Sequence, residues 1–562
     1  MKDEILKNFI VDFCEQNEYS SLDKDEQFEK FSNYNVISKL YPRELDIDDL
    51  STGGGDDLAI DGAAIIVNGS IVNSEEEIDF LLKRNGSIDV IFALVQSKNS
   101  SRFKGDQVGN FIFGVKSLFD DKPSIPENEK IVKIRRLKNK IYQNSINFSK
   151  SPELKLFFVT TGEWKEPAQI QGKADRELSE LDSRSLFSNK SKIEFYDAER
   201  LKQSYRELSR KTVKEIPFNT QIVLPDVADE LNVRQSFIGC VPVKDYIELI
   251  TNDDGLLAKG LFYDNVRDYQ GNNKINQEIS KTLKDDLLQS LLPLLNNGIT
   301  IISKKVDKVG TKLKLSDFQI VNGCQSSNVI FENKSIVKDD VYLIVKIIET
   351  NDQHVINNII RATNRQTEVR DEAFESLKPF HKDLEEYYKA LSKGYTNPIY
   401  YERRSKQYLG HPQIKPSQIV TLAAQVKAYV SLVLEQPQST HRYYGEILSS
   451  NKNKLFIVSS DMKVYYTSAL IVNRLEVLFK SRGVNRKYKD YKYHIAFVSY
   501  AMMMKEYKNI NSILSVSKDI DKMKDIFISA CKVIEKVQGE SRLNREDSIR
   551  SREFTNKLKA MI

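Results

Sequence analysis

Asp61, Gln96 and Lys98 are the residues of this chain whose types and order could do chemistry. Asp61 interrupts an apolar run in GDDLAIDGAAIIVNG (55–69), and IDVIFALVQSK (88–98) closes on Gln96, one spacer and Lys98. A carboxylate and an amide carbonyl are the oxygen donors a hard divalent cation accepts. An ammonium beside them can steady the charge that builds when water attacks a phosphodiester. The set therefore points to metal-assisted hydrolysis of nucleic acid.

The elements around these residues must bring them together. Leu58 to Val67 reads as a strand, Asn68-Gly69 as a type I′ turn, and Ser70-Ile71-Val72 as the returning arm of a hairpin. Ser74 before Glu75, Glu76 and Glu77 starts a helix through Phe80, Leu81 and Leu82, which Asn85-Gly86 ends. Ile88 to Lys98 is the next strand. Alternation puts Val90, Phe92, Leu94, Gln96 and Lys98 on one side, so Gln96 and Lys98 emerge together at its carboxyl end. Pairing of this strand with the Asp61 strand makes the three polar groups converge. A polar loop (99–102) follows, then a helix marked by Val108, Phe111, Ile112, Val115, Leu118 and Phe119. Leu154–Thr160 and Lys192–Tyr196 supply further strands, Glu199–Arg210 a closing helix, and the polar span Lys165–Lys190 is expected to loop out.

This order over residues 20–210 resembles the PD-(D/E)xK nuclease fold, in the QxK variant of Mrr-type restriction endonucleases. The resemblance implies a restriction-endonuclease-like α/β sandwich over 1–212 and a Mg²⁺ (or Mn²⁺) cofactor. It implies Asp61 as the metal carboxylate, Gln96 as a neutral carbonyl ligand and Lys98 as the group that polarises water or stabilises the phosphorane. Ile60 stands where that family has proline. With Gln in place of an acid, the site lacks one negative charge, and the first helix of that fold often supplies another acid. Glu29 in DEQFEKFSNYNVISK (25–39) is the candidate, Glu26 its rival, and Asp57 a further ligand. DNA is the expected substrate, RNA the alternative.

Length and composition bound the rest. At 562 residues, with 40% hydrophobic and 29% charged residues, the chain is a multidomain globular protein. No apolar run of about 18 residues predicts a membrane helix, and the amphipathic N-terminus is not a signal peptide. Cysteines 14, 240, 324 and 531 are widely spaced, which fits a reducing cytoplasm and argues against structural zinc. The net charge of +5 is too small to argue from. Lys480–Lys492 (KSRGVNRKYKDYK) concentrates it, with Tyr488 and Tyr491 interleaved. Arg486, Lys487 and Lys489 there, and Arg403 and Arg404 after Tyr400-Tyr401, could contact phosphates; a solvated or ion-paired face is the plain alternative.

The second half is α/β over 213–415 and helical over 416–562. The strand Phe318–Val321, the turn Asn322-Gly323-Cys324-Gln325 and a helix from Ser326 or Ser327 form an arrangement whose free backbone N–H groups suit an anion. Another strand (Val341–Ile348) and a helix from Asp352 to about Arg365 follow. No GxxxxGK[ST] occurs, so a P-loop is not supported. The blocks NVR (265–267), NNGITII (296–302), QIVNGCQSSN (319–328) and ATNRQTEV (362–369) resemble, in order, those of the abortive infection phage resistance (AIPR) family, over roughly 240–520. A Mrr-type nuclease is a common companion in that family. The resemblance implies anti-phage defence. Arg267, Asn322, Gly323, Gln325 and Asn364 are the candidate lining of a nucleotide or DNA-phosphate pocket, with a nucleotide or a phage-derived trigger as partner. Cutting both DNA strands favours a homodimer, because each active site cleaves one strand.

Overall fold

The computed structural model describes residues 3–41, 45–165, 167–209, 212–228, 231–252, 255–262, 274–364, 375–376, 378–393, 396–403, 407–408, 411, 413–457, 459–541 and 543–562. The chain divides into two compact units, Met1–Leu6 with Phe28–Arg370, and Lys7–Gln27 with Asp371–Ile562. The division after residue 370 differs from the sequence boundary at 415. Helices α1 (Glu4–Asn17) and α2 (Lys24–Leu40) each contribute to both units.

The first unit opens with a short helix α3 (Ile47–Leu50) and then a five-stranded sheet ordered β2-β1-β3-β4-β5. Its strands are β1 (Gly62–Val67), β2 (Ser70–Ile71), β3 (Val90–Lys98), β4 (Glu153–Thr160) and β5 (Ile193–Tyr196). The expected hairpin forms, with Asn68 and Gly69 at positive φ of 48° and 78° as a type I′ turn requires. β1 runs antiparallel to β3, with Gly62 opposite Val95, while β3, β4 and β5 run parallel. Helices α4 (Glu75–Asn85), α5 (Gly105–Phe119), α6 (Glu129–Gln143) and α7 (Ala168–Asp182) share one apolar core with alternate residues of the strands. α4 carries the expected ends: Ser74 Oγ accepts from Glu77 N–H, and Gly86 is left-handed. α8 (Ala198–Ser209) packs with α2, Phe31 against Tyr205 at 5.2 Å.

One expectation here fails. The span expected to loop out contains α7, which buries Ala174, Leu178 and Leu181 on one face while its remaining polar residues stay in water.

A second sheet follows in the same unit, ordered β6-β10-β9-β11-β8-β7. It comprises β6 (Val213–Pro217), β7 (Thr220–Val223), β8 (Val233–Pro242), β9 (Ile299–Val309), β10 (Lys312–Asn322) and β11 (Tyr342–Thr350). β6 and β7 stand at opposite ends of that order, yet only Phe218 and Asn219 separate them. So short a link spans at most roughly 11 Å, so the sheet must curl until its ends nearly meet. Its core combines Ile216, Val241, Ile301, Leu315, Val345 and neighbours with residues of α9 (Val243–Leu249), α10 (Lys274–Lys284), α11 (Leu292–Leu295) and α12 (Cys324–Glu332). α13 (Gln353–Asn364) follows β11.

The second unit is mainly helical: α14 (Pro379–Ser392), α15 (Leu422–Leu432), α16 (Tyr444–Ser450), α17 (Met462–Lys480), α18 (Lys492–Tyr507), α19 (Ile510–Ser517), α20 (Ile520–Gly539), α21 (Arg545–Arg550) and α22 (Arg552–Met561). The region expected to be helical from 416 instead has β13 (Ile419–Thr421) near its start, parallel to β12 (Tyr400–Glu402). No helix among the described residues is long and apolar enough to cross a membrane.

Candidate metal centre

Asp61 lies one residue before β1, and the β1–β3 register sets it beside Gln96. Its amide donates to Val95 C=O at 2.8 Å. Its carboxylate oxygen Oδ2 accepts from Ser97 N–H at 2.7 Å and Ser97 Oγ at 3.4 Å, and stands 3.6 Å from Lys98 Nζ. All three contacts fall on Oδ2, leaving Oδ1 without a hydrogen-bond donor among the described residues. Burial pushes the Asp61 pKa above the usual carboxylate range; Lys98 and the Ser97 N–H pull it back, and the Asp57 charge raises it further. The Lys98 side chain is 34% exposed, so its ammonium faces both Asp61 and solvent.

Gln96 is buried at 2% exposure, and its Oε1 has no hydrogen-bond partner among the described residues. Leaving a buried carbonyl unsatisfied costs about 1–3 kcal/mol, which a bound water or cation would relieve. Asn33 Oδ1 on α2 and Gln107 Oε1, in the first turn of α5 at this end of the sheet, are likewise buried without partners. The sequence-predicted trio is thus brought to one rim.

The loop leading to Asp61 is clamped by polar groups that the sequence reading missed. Lys30 forms a buried ion pair with Asp48 at 2.8 Å and donates to Ser51 Oγ at 2.8 Å. Asn33 Nδ2 reaches Ser51 Oγ and the Asp61 carbonyl, both at 3.3 Å. Lys130 Nζ donates to Asp48 and Ser51 carbonyls, and Asn128 Nδ2 to those of Thr52, Gly53 and Gly55. From the other side α5 approaches so closely that a Cβ on Gly114 would lie 1.7 Å from Leu58 C=O. The sequence carried no local signal for this: α2 buries Lys30, Ser32, Asn33, Asn35 and Ser38 among its apolar residues, against the usual exposure of such types.

The additional acid is less well served. Glu29 is half-buried on α2, one turn before Asn33 on the same face. Glu26 is engaged by Arg482. No group of three or more His, Cys, Asp or Glu able to hold a metal occurs among the described residues. Asp57 is the acid whose charge acts on Asp61.

The anion-site candidates lie elsewhere. Gly323 has φ of 100°, and a Cβ there would meet Ile299 Cδ1 at 2.2 Å, so glycine is demanded by both backbone and packing. Asn322 ends β10 at a register shift opposite Thr300. The polar residues of α12 serve internal joints. Gln325 Oε1 accepts from Asn276 at 2.8 Å, Ser326 Oγ from Asn296 at 2.9 Å, and Ser327 Oγ pairs with Tyr246 OH at 2.6 Å. Arg267 and Arg404 lie outside the described residues, as does the side chain of Asn364, the last residue of α13. The far end of α12 (Asn328, Phe331, Glu332) borders a cavity of about 210 Å³ with Asp89, Ile91, Glu153 and Lys155. These belong to the amino ends of β3 and β4, opposite the rim that carries Gln96 and Lys98.

The basic residues do not form a bare cationic face. Arg403 pairs with Glu385 at 2.9 Å, both side chains 8% exposed, so its fork is turned inward from any phosphate. Lys487 pairs with Glu535 at 2.7 Å, Arg486 Nε donates to Phe479 C=O at 3.2 Å, and Lys489 acts with Lys492 on half-buried Glu476.

No curated protein matches this chain, and no solved structure matches it. A protein-family profile does: the family described as AIPR protein, over residues 262–542, half of the 562-residue chain. That span covers all four sequence blocks, NVR, NNGITII, QIVNGCQSSN and ATNRQTEV. The chain belongs to the AIPR family.

Proposed function

We propose that the Asp61 rim is the active site of a divalent-metal nuclease of the PD-(D/E)xK class, acting on DNA in abortive-infection defence. The observation that carries this reading is the unsatisfied, buried Gln96 Oε1 beside the Asp61–Lys98 pair. A carboxylate and a neutral carbonyl are donors that Mg²⁺ or Mn²⁺ accepts, so the residues fit the ion. Asp61 Oδ1 and Gln96 Oε1 would hold it, with Glu29 or Asp57 contributing through water. When bound, such an ion polarises the phosphate and lowers the pKa of attacking water. Ser97 orients Asp61 through Oδ2, and the solvent-facing Lys98 ammonium meets the charge that develops on the phosphate. The AIPR region would sense or restrain, and the cavity shared by the end of α12 and the amino ends of β3 and β4 gives it a place to act on the sheet.

Supercoiled plasmid and total RNA, each incubated with the full chain in Mg²⁺, Mn²⁺ or EDTA, test this. Plasmid should be nicked or linearised only with metal, and RNA left intact. Cleavage that survives EDTA removes the metal-dependent reading, and no cleavage with either metal leaves a non-cleaving nucleic-acid-binding protein. Cleavage of RNA alone reassigns the substrate.

A further inference from the structure

Residues 287–295 (LLQSLLPLL) present leucine to water on a scale that isolated surface residues do not reach. Leu287 is 82% exposed, Leu294 80% and Leu295 60%, with Leu288 and Leu291 near 40%. Their spacing of three and four residues puts them along one face of the short helical segment 288–295. The segment is not a loose flap. Leu292 is fully buried in the core of the second sheet, and Gln289, also buried, donates to the carbonyls of Leu283 at 2.7 Å and Ile336 at 3.1 Å. Lys338 N–H donates back to Gln289 Oε1 at 3.2 Å. Ile336, itself 41% exposed, extends the apolar surface.

We infer that this leucine face is the contact through which two copies of the chain pair. No charged residue interrupts 287–295, which disfavours nucleic acid as the occupant. The exposed leucine surface is on the order of 500 Å² per copy, at the upper end of patches on monomeric proteins. Two such faces remove on the order of 1,000 Å² from water together, the threshold for a specific interface, and homodimer contacts are the more apolar class. The layout is self-complementary. Leu287 and Leu288 lie on one side of Leu291 and Leu294 and Leu295 on the other, so a two-fold axis at Leu291 sets each end against the opposite end of its mate. The pairing stands on this face alone. Its use, two Asp61 sites per particle for cutting both strands, rests on the nuclease reading.

Sedimentation velocity of the full chain across the micromolar range tests the pairing without reference to cleavage. The wild type should sediment as a species of twice 64.7 kDa. The double variant Leu287→Glu, Leu294→Glu should sediment as a folded monomer, since in a single copy both side chains are in water, and its melting temperature should no longer rise with protein concentration as that of the wild type does. Leu291→Cys should form an oxidant-dependent cross-linked dimer that wild type does not. A monomeric wild type, a double variant that remains dimeric, or no Leu291→Cys cross-link overturns the inference.

Discussion

The Asp61 carboxylate and the Lys98 ammonium meet at 3.6 Å across the β1–β3 pair, although 36 positions separate Asp61 from Ser97, whose N–H holds the same oxygen at 2.7 Å. The contact leaves Lys98 one-third exposed, so the pair is reachable by a phosphate and weakly stabilising. Lys98→Ala and Asp61→Asn should each lower plasmid cleavage by roughly 10²–10³-fold. The Lys98→Ala change should shift unfolding free energy by less than about 1 kcal/mol. Denaturant titration beside the cleavage assay checks both halves.

Gln96 carries a conflict between stability and use. Gln96→Leu keeps similar volume and removes the unpartnered Oε1. Without metal, the variant should be at least as stable as wild type, by up to about 1 kcal/mol. The rise in melting temperature on adding Mn²⁺ should disappear, because binding to the folded state alone is what raises it. Thermal melts with Mn²⁺ and with EDTA provide the comparison.

Gly114 sets how closely α5 lies against the loop that ends in Asp61. Gly114→Ala drives a methyl to 1.7 Å from Leu58 C=O. It should destabilise the first unit by about 1–3 kcal/mol and lower cleavage with it. Gly172→Ala on α7, whose Cβ would meet nothing within 4 Å, should instead be neutral or stabilising by roughly 0.5–1 kcal/mol. Urea melts of the two variants separate crowding from the general effect of alanine.

His494, buried, has its pKa pushed down to about 3, mostly by burial and partly by the nearby His441 charge. The unfolded chain binds a proton near pH 6.5 that the folded one refuses until about pH 3. Stability from this group is therefore complete above pH 6.5 and is lost as pH falls toward 3. A His494→Gln variant should show a flatter decline in melting temperature over that window.

The first sheet was legible because its signals are local. Asn68-Gly69 fixes the β1–β2 hairpin, alternation along β3 puts Gln96 and Lys98 on one side, and pairing of β1 with β3 brings Asp61 to them. What escaped depends on residues distant in sequence. The basic run 480–492 reads as a cationic patch until Glu535 and Glu476 are seen to neutralise it. Lys30 and Asn33 gain their partners only when the fold brings Asp48, Ser51 and the Asp61 carbonyl to them. Curling of the second sheet is invisible locally, since β6 and β7 resemble one hairpin and pair instead with β10 and β8. α7 did carry a signal, Ala174, Leu178 and Leu181 at helical spacing, but charged neighbours outweighed it.

A crystal of the full chain soaked in Mn²⁺ and measured for anomalous scattering tests the central claim most directly. One peak is expected within about 2.5 Å of both the Asp61 carboxylate and Gln96 Oε1. A Mn²⁺ ion bound elsewhere in the first unit, with the Asp61–Gln96 rim empty at saturating metal, contradicts it.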